Sequence, residues 1–322
     1  MIEVGAENGL FTRELLAWGK SHGAERIAAI DPFPRENLLA LEEAEPTLEL
    51  IRQPSHEALA EVELADVVIL DGDHNYFTVA EELRLIAERS PDGLPLILLH
   101  DIGWPLGRRD SYHDRTALPD DAVATGAGPG FLDPTETGLA ERGLYYQCVA
   151  PEAGGPRNGV LTAVDDFLEG RHGLRFASVS QFFGLGIIWR EDASWAADLE
   201  ALVAPLDSNP VLERAEQKRV EHLVAEFQLL QKIDAMRSQD YELQYLLSTM
   251  LESSAFALGE RVSRLKQGGK PMFSRAQVAD ALARVREDND LLGTTAQTAE
   301  AERTRASGFV DVDDTELASG AA

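Results

Sequence analysis

Two short segments concentrate groups that can do chemistry. Asp71-Gly72-Asp73-His74 and His100-Asp101 each follow a continuous apolar run. Carboxylates brought side by side can share a hard divalent cation through oxygen ligands, and magnesium takes few of them, filling its shell with water and substrate oxygens. A cation so held can orient a hydroxyl and lower its pKa. Histidine titrates near neutral pH, so His74, three residues past Asp71, is a candidate general base. The alternative is bland: acids and histidines at strand ends often cap the next helix, and Asp73 is such a candidate.

The elements that carry these groups read as alternating strands and helices. Ala65 to Leu70 is a β-branched apolar run of the kind a buried parallel strand needs, and Pro95 to Leu99 is a second. Ile2 to Val4 forms a strand that runs into a glycine-bounded turn, Gly5-Ala6-Glu7-Asn8-Gly9, and then a helix from Arg13 to His22. Ile27 to Ile30 follows and ends in Asp31. Strand, glycine turn, helix, strand, acid is the ligand-binding half of a doubly wound α/β sheet. Gly5 and Gly9 would let backbone approach a ligand, and an acid at the second strand's tip can accept both hydroxyls of a ribose. Glu7 inside the turn argues against a pyrophosphate and for a cationic ligand.

The rest follows the same rhythm. A helix is expected over 36–43, a strand over 48–52, and a helix from His56 with Ser55 as its cap. A helix over 77–88 comes next. Residues 103–156 are rich in glycine and proline; their aromatics and the pair Arg108, Arg109 suggest a lid over a substrate. A helix over 158–170 and two closing strands, Leu174 to Val179 and Gly184 to Trp189, complete the pattern. The short link between those strands suits an antiparallel pair.

Beyond Trp195 apolar residues recur at helical spacing from Val211 to Leu265, among them Leu223, Phe227, Leu243 and Met250. Gln267-Gly268-Gly269-Lys270-Pro271 breaks the pattern, and Ser274 to Arg286 can form one more short helix. The chain from 287 is acidic and poor in large apolar residues, a composition that fits disorder.

Composition narrows the field. A net charge of −27 argues against binding nucleic acid or an anionic membrane, which need basic patches. One cysteine, Cys148, excludes an internal disulfide and fits a reducing cytoplasm. No apolar run suggests a signal peptide or membrane span.

The opening stretch resembles motif I of the class I S-adenosylmethionine (SAM) methyltransferases, an acid-x-Gly-x-x-x-Gly loop. The two acid and histidine segments resemble a bacterial subgroup of small-molecule O-methyltransferases with Asp-Gly-Asp-His and His-Asp motifs. The resemblance covers about residues 1–190. It implies an α/β fold, Rossmann-like and doubly wound, with a mostly parallel seven-stranded sheet, an antiparallel C-terminal strand pair and, outside it, a helical appendage. It also implies a SAM-binding domain over 1–192 with the lid at 103–156; outside it, apolar spacing and composition give an appendage over 193–286 and an acidic tail over 287–322. Cofactor contacts would fall on Glu3, Gly5, Gly9, Asp31, Ser55, His56 and Asp71. Magnesium would fall on Asp71, His100 and Asp101, although imidazole is a soft choice for that ion. His74 would be the base, with His113 in the lid as an alternative. The acceptor would be a sugar or natural-product hydroxyl; outside the resemblance, the amphipathic spacing of the C-terminal helices suggests a homo-oligomer. A different reading keeps the fold and makes the protein a non-methylating or non-catalytic scaffold working through those helices. Met1 lies one residue before the first strand, so the helices that usually cover the cofactor in this family are expected either upstream or not at all.

Overall fold

The computed structural model describes residues 1–91, 93–266 and 274–284, in two compact units, 1–228 and 229–322. In the first unit, seven strands form one sheet: β1 (Ile2–Val4), β2 (Ile27–Ile30), β3 (Leu48–Ile51), β4 (Val67–Leu70), β5 (Leu96–His100), β8 (Leu174–Val179) and β9 (Leu185–Arg190). Their order is β3-β2-β1-β4-β5-β9-β8, with β1 to β5 parallel and the β8–β9 pair antiparallel. This is the Rossmann-like, doubly wound sheet expected. Chain direction across the sheet reverses between β1 and β4, and crevices at such switch points hold ligands.

Every residue of β1 and β2 is buried, as strands covered on both faces must be. On one face α3 (Ser55–Glu61), α4 (Tyr76–Glu88) and α5 (Val160–Leu168) set Leu59, Leu83, Ile86 and Phe167 against Ile2, Ile30, Val68 and Ile97. On the other, α1 (Leu10–His22) and α2 (Glu36–Ala44) bury Leu16 and Leu38 against Ile27, Ala29 and Leu48. α6 (Ala196–Val203) covers Trp189 and Ile187 near the β8 edge.

Several boundaries differ from those read in the sequence. α1 starts at Leu10, because left-handed Gly9 (φ 76°) serves as its cap and Asn8 accepts from the Leu10 N–H at 3.1 Å. Ser55 does not cap α3; Pro54 holds that position and Ser55 is the first helical residue. Nor does Asp73 cap α4. Asn75 does, accepting from the Thr78 N–H at 2.8 Å. The stretch 103–156 is not all loop: β6 (Gly128–Leu132) and β7 (Leu144–Val149) pair as a separate antiparallel sheet.

The long helix α7 (Pro210–Glu252) contributes to both units. Within the first unit its Val220 and Val224 pack with Leu144, Trp104, Tyr146 and Phe183. Within the second unit, the rest of α7 is followed by α8 (Ser254–Lys266) and a helix over 275–284, and Leu282 is buried. The expected break at 267–271, the end of the last short helix and the acidic tail lie outside the described residues.

Candidate functional site

At the switch point, the ends of β1 and β4 touch. Gly5 has φ 86°, and a Cβ placed on it would lie 2.1 Å from the Asp71 carbonyl oxygen. Only glycine closes that contact. Its need for glycine is therefore internal packing, beyond any approach to a ligand. Gly9 is also left-handed, with a Cβ there meeting the Leu38 Cα at 3.2 Å.

Asp31, at the tip of β2, is buried and fully engaged with backbone. Its Oδ2 accepts from the Glu7 N–H at 2.6 Å and its Oδ1 from the Phe33 N–H at 2.7 Å. Those bonds fix the glycine turn and leave each oxygen further lone pairs for a ligand. Glu7, with φ 45°, turns its carboxylate outward to Arg35 at 3.0 Å. That pairing offsets part of the repulsion a pyrophosphate would meet. Glu3, in the middle of β1, is 2% exposed. Burial pushes its carboxyl up to about 7, opposed by Thr12 and reinforced by Asp71 and Asp31. One of its carboxylate oxygens has no hydrogen-bond partner.

The second half of the site lies beyond β4 and β5. His100 Nδ1 is 3.0 Å from Asp71 Oδ1 and 3.4 Å from Asp101 Oδ1. His74 Nε2 is 3.3 Å from Asp71 Oδ1 and 3.4 Å from Asp101 Oδ2. Two carboxylates and two imidazoles thus alternate in one cluster. Burial works against charge on Asp71, but His100 and His74 outweigh it and hold its carboxyl below the usual range. For His74, burial is outweighed in turn by Asp101, Asp71 and Asp73, which raise it to about 9. Burial raises Asp101, with the two histidines opposing. Asp101 sits at φ 58°, a conformation that costs a non-glycine residue about 1–3 kcal/mol.

Around this cluster the insertion is firmly tied down. Asp73 accepts from the His113 N–H at 3.0 Å and from Asn75 Nδ2 at 2.6 Å. The Ser111 N–H donates to the His74 carbonyl at 3.0 Å. Buried Asp110 accepts from the Tyr76 N–H (2.7 Å), the Gly159 N–H (2.6 Å) and the Tyr112 hydroxyl (2.9 Å), joining the insertion to the starts of α4 and α5. Arg109 is also buried, donating to the carbonyls of Ala150, Thr137 and Gly138, while Arg108 pairs with Asp165 at 2.6 Å. The two arginines are thus engaged in holding the insertion in place.

Of the residues singled out in the sequence, Glu3 lies within β1, Gly5, Gly9 and Asp31 follow β1 and β2, and Asp71, His74, His100 and Asp101 meet at the ends of β4 and β5. Ser55 and His56 open α3, beyond the end of β3. His113 donates its backbone N–H to Asp73, and the residue is exposed. Two residues escaped the sequence reading. Asp110 gave no signal. Glu82 is 1% exposed on the apolar face of α4, beside Ser55, and burial raises it to about 8. An acid spaced with Val79, Leu83 and Ile86 on one helical stripe was the signal for it.

Fold and site define a Rossmann-like α/β domain with an acid-rich crevice at its switch point. Residues 2–102, from β1 to just past Asp101, match a family model described as a methyltransferase domain. No curated protein matches the chain. Among solved structures, the chain is similar to an S-adenosylhomocysteine-bound methyltransferase of Podospora anserina, at 17% identity over 59% of this chain and 71% of that one, with a TM-score of 0.33. It is similar also to a Corynebacterium glutamicum protein (13% identity, 59% and 70% covered, TM-score 0.34). A third is a Burkholderia thailandensis 1,6-didemethyltoxoflavin-N1-methyltransferase with bound substrate and S-adenosylhomocysteine (12%, 59% and 69%, TM-score 0.31). Likenesses this distant carry no functional weight.

Proposed function

We propose that this protein is a SAM-dependent O-methyltransferase acting, with a divalent cation, on a hydroxyl of a small molecule such as a sugar or natural product. One observation carries the reading: Glu3 lies opposite Ala29 of β2 and Ile69 of β4, two residues short of Asp31 and Asp71, so the three acids gather at the switch point. Three carboxylates there suit a ligand that is cationic and carries a ribose. SAM has a sulfonium, an ammonium and a ribose diol. The unpartnered Glu3 oxygen and the spare lone pairs of Asp31 fit that chemistry.

Bound SAM supplies an activated methyl group for in-line displacement. The protein's share is orientation and proton removal. Asp31 holds the turn and accepts from the ribose; Gly5 and Gly9 shape the turn; Ser55 and His56 border the adenine end. The cluster beyond β4 and β5 holds the acceptor hydroxyl where its proton can leave, and residues 103–156 close over it. The division into a SAM domain (1–192), a helical appendage (193–286) and an acidic tail belongs to this reading, as does a cytoplasmic location. Among the described residues no helix is long and apolar enough to cross a membrane.

Self-association through the appendage is part of the same proposal. Leu229, Met236, Leu243 and Met250 are all exposed and recur every seven residues along α7, the spacing of a helix–helix seam. Sedimentation of wild type and Leu243→Glu should show a dimer lost in the variant; a monomeric wild type removes this element.

Calorimetry with SAM tests the central reading. One mole of SAM should bind per chain, and S-adenosylhomocysteine should appear when SAM is incubated with a hydroxyl-bearing acceptor panel. A chain that binds no SAM is not a methyltransferase.

A further inference from the structure

The cluster beyond β4 and β5 does not have the donors of a magnesium site. Magnesium is a hard ion that takes oxygen ligands in near-ideal octahedral geometry. Here two of the four converging side chains are imidazoles, and both point a ring nitrogen inward. Nδ1 of His100 and Nε2 of His74 approach the same oxygen, Asp71 Oδ1, at 3.0 and 3.3 Å. One ligand atom from each of Asp71, His74 and His100 fits within a sphere in which all lie less than 4.8 Å apart. Imidazole suits zinc, copper, iron and nickel, while carboxylate and water suit magnesium.

Asp101 stands differently. Its backbone is left-handed, at φ 58°. Its Oδ2 faces His74 Nε2 and its Oδ1 faces His100 Nδ1, each at 3.4 Å. Both contacts are to the ring nitrogens that would face an ion, so Asp101 stands at the rim of the same site.

We infer that Asp71, His74 and His100 form a binding site for a first-row transition-metal ion, with Asp101 as a further carboxylate at the same ring nitrogens. This rests on the methyltransferase reading only for what the ion would serve. It changes the assignment within the cluster: His74 becomes a ligand in place of a base, and the ion is not magnesium.

The test uses the full chain freed of metal with a chelator, and the metals alone as probes. Cobalt(II) should bind once per chain and give a visible ligand-field absorption. Affinity should rise from manganese through cobalt to nickel, with magnesium weaker than all three. His74→Ala and His100→Ala should each weaken cobalt binding by at least about 10–100-fold, the loss seen even for a partner one shell out. His74→Gln, closer in size, guards against a folding defect, and circular dichroism of each variant confirms the fold. Asp101→Asn should shift the cobalt spectrum while leaving the stoichiometry at one. Magnesium binding as tight as cobalt, cobalt affinity unchanged in His74→Gln, or no cobalt binding at all would overturn the inference. SAM titration of the metal-free chain separates the two readings. SAM binding without any cobalt site sinks only the metal assignment; cobalt binding without SAM sinks only the methyltransferase.

Discussion

Replacing Gly5 by alanine separates two costs that usually arrive together. The first is conformational: an L-residue held left-handed costs about 1–2 kcal/mol. The second is steric. The new Cβ would stand 2.1 Å from the Asp71 carbonyl oxygen and 2.5 Å from both the Asp71 carbonyl carbon and the Gly72 Cα. All three are backbone atoms, so no rotamer change relieves the overlap, and the ends of β1 and β4 must part. Overpacking of a tight interior costs about 1–3 kcal/mol. The sum is roughly 2–5 kcal/mol, or roughly 5–15 °C in Tm for a domain of this size. Gly170→Ala supplies the control. Gly170 has φ 71°, but a Cβ there meets nothing within 4 Å. It bears the conformational cost alone, partly offset by about 0.4–1 kcal/mol from a stiffer unfolded chain. Thermal unfolding of both variants at matched pH should therefore show a Tm drop at least twice as large for Gly5→Ala, accompanied by loss of SAM binding. Equal drops would refute the claim that β1 and β4 are locked at this contact.

Three further outcomes are expected. Asp31→Ala should lower SAM affinity at least tenfold in calorimetry and also lower Tm, because each charge-assisted bond to the Glu7 and Phe33 N–H groups contributes about 1.5–3 kcal/mol; undiminished affinity would remove Asp31 from the cofactor site. Glu82 gives a pH signature: its ordinary value is 4.5 and its folded value about 8, so between these the folded chain holds a proton the unfolded chain has lost. Stability should then fall as pH rises from about 5 to 8, by at most about 1.4 kcal/mol per pH unit from this group, and urea titrations of Glu82→Gln should show a flatter profile. Asp110→Ala leaves the donors of Tyr76, Gly159 and Tyr112 unmatched, at about 1–3 kcal/mol each. Trypsin should cut Asp110→Ala faster within residues 103–156, at sites such as Arg115 and Arg142; a wild-type cleavage rate would show that Asp110 is not the tie.

The sheet was legible because its physics is local. Parallel strands covered on both faces must be apolar throughout, and Ile27 to Ile30 or Val67 to Leu70 can hardly be read otherwise. That their ends turn polar together, at Asp31, Asp71 and His100, located the crevice. What escaped depends on contacts distant in sequence. Gly5 looked like a ligand contact, yet its nearest neighbour is the backbone of Asp71. Asp31 looked free for a ribose, yet it accepts from an N–H 24 residues earlier. The β6–β7 hairpin was hidden because Gly128-Pro129-Gly130 breaks any strand pattern, and its pairing with Tyr145 and Tyr146 supplies what propensity lacks. The starts of α1 and α3 shifted because a glycine and a proline cap them. The acid and histidine cluster was read as a set, but which ring nitrogen faces which carboxylate has no trace in the sequence.

The contact between Gly5 and Asp71 has a thermodynamic consequence. One residue bounds the turn on which a nucleoside would rest, and the other is the oxygen that both histidines approach. Because backbone abuts backbone, neither can shift alone. Where an occupant of one side moves that seam, an occupant of the other feels it, and the coupling is reciprocal. If a cation tightens the hold on SAM by some factor, SAM must tighten the hold on the cation by the same factor.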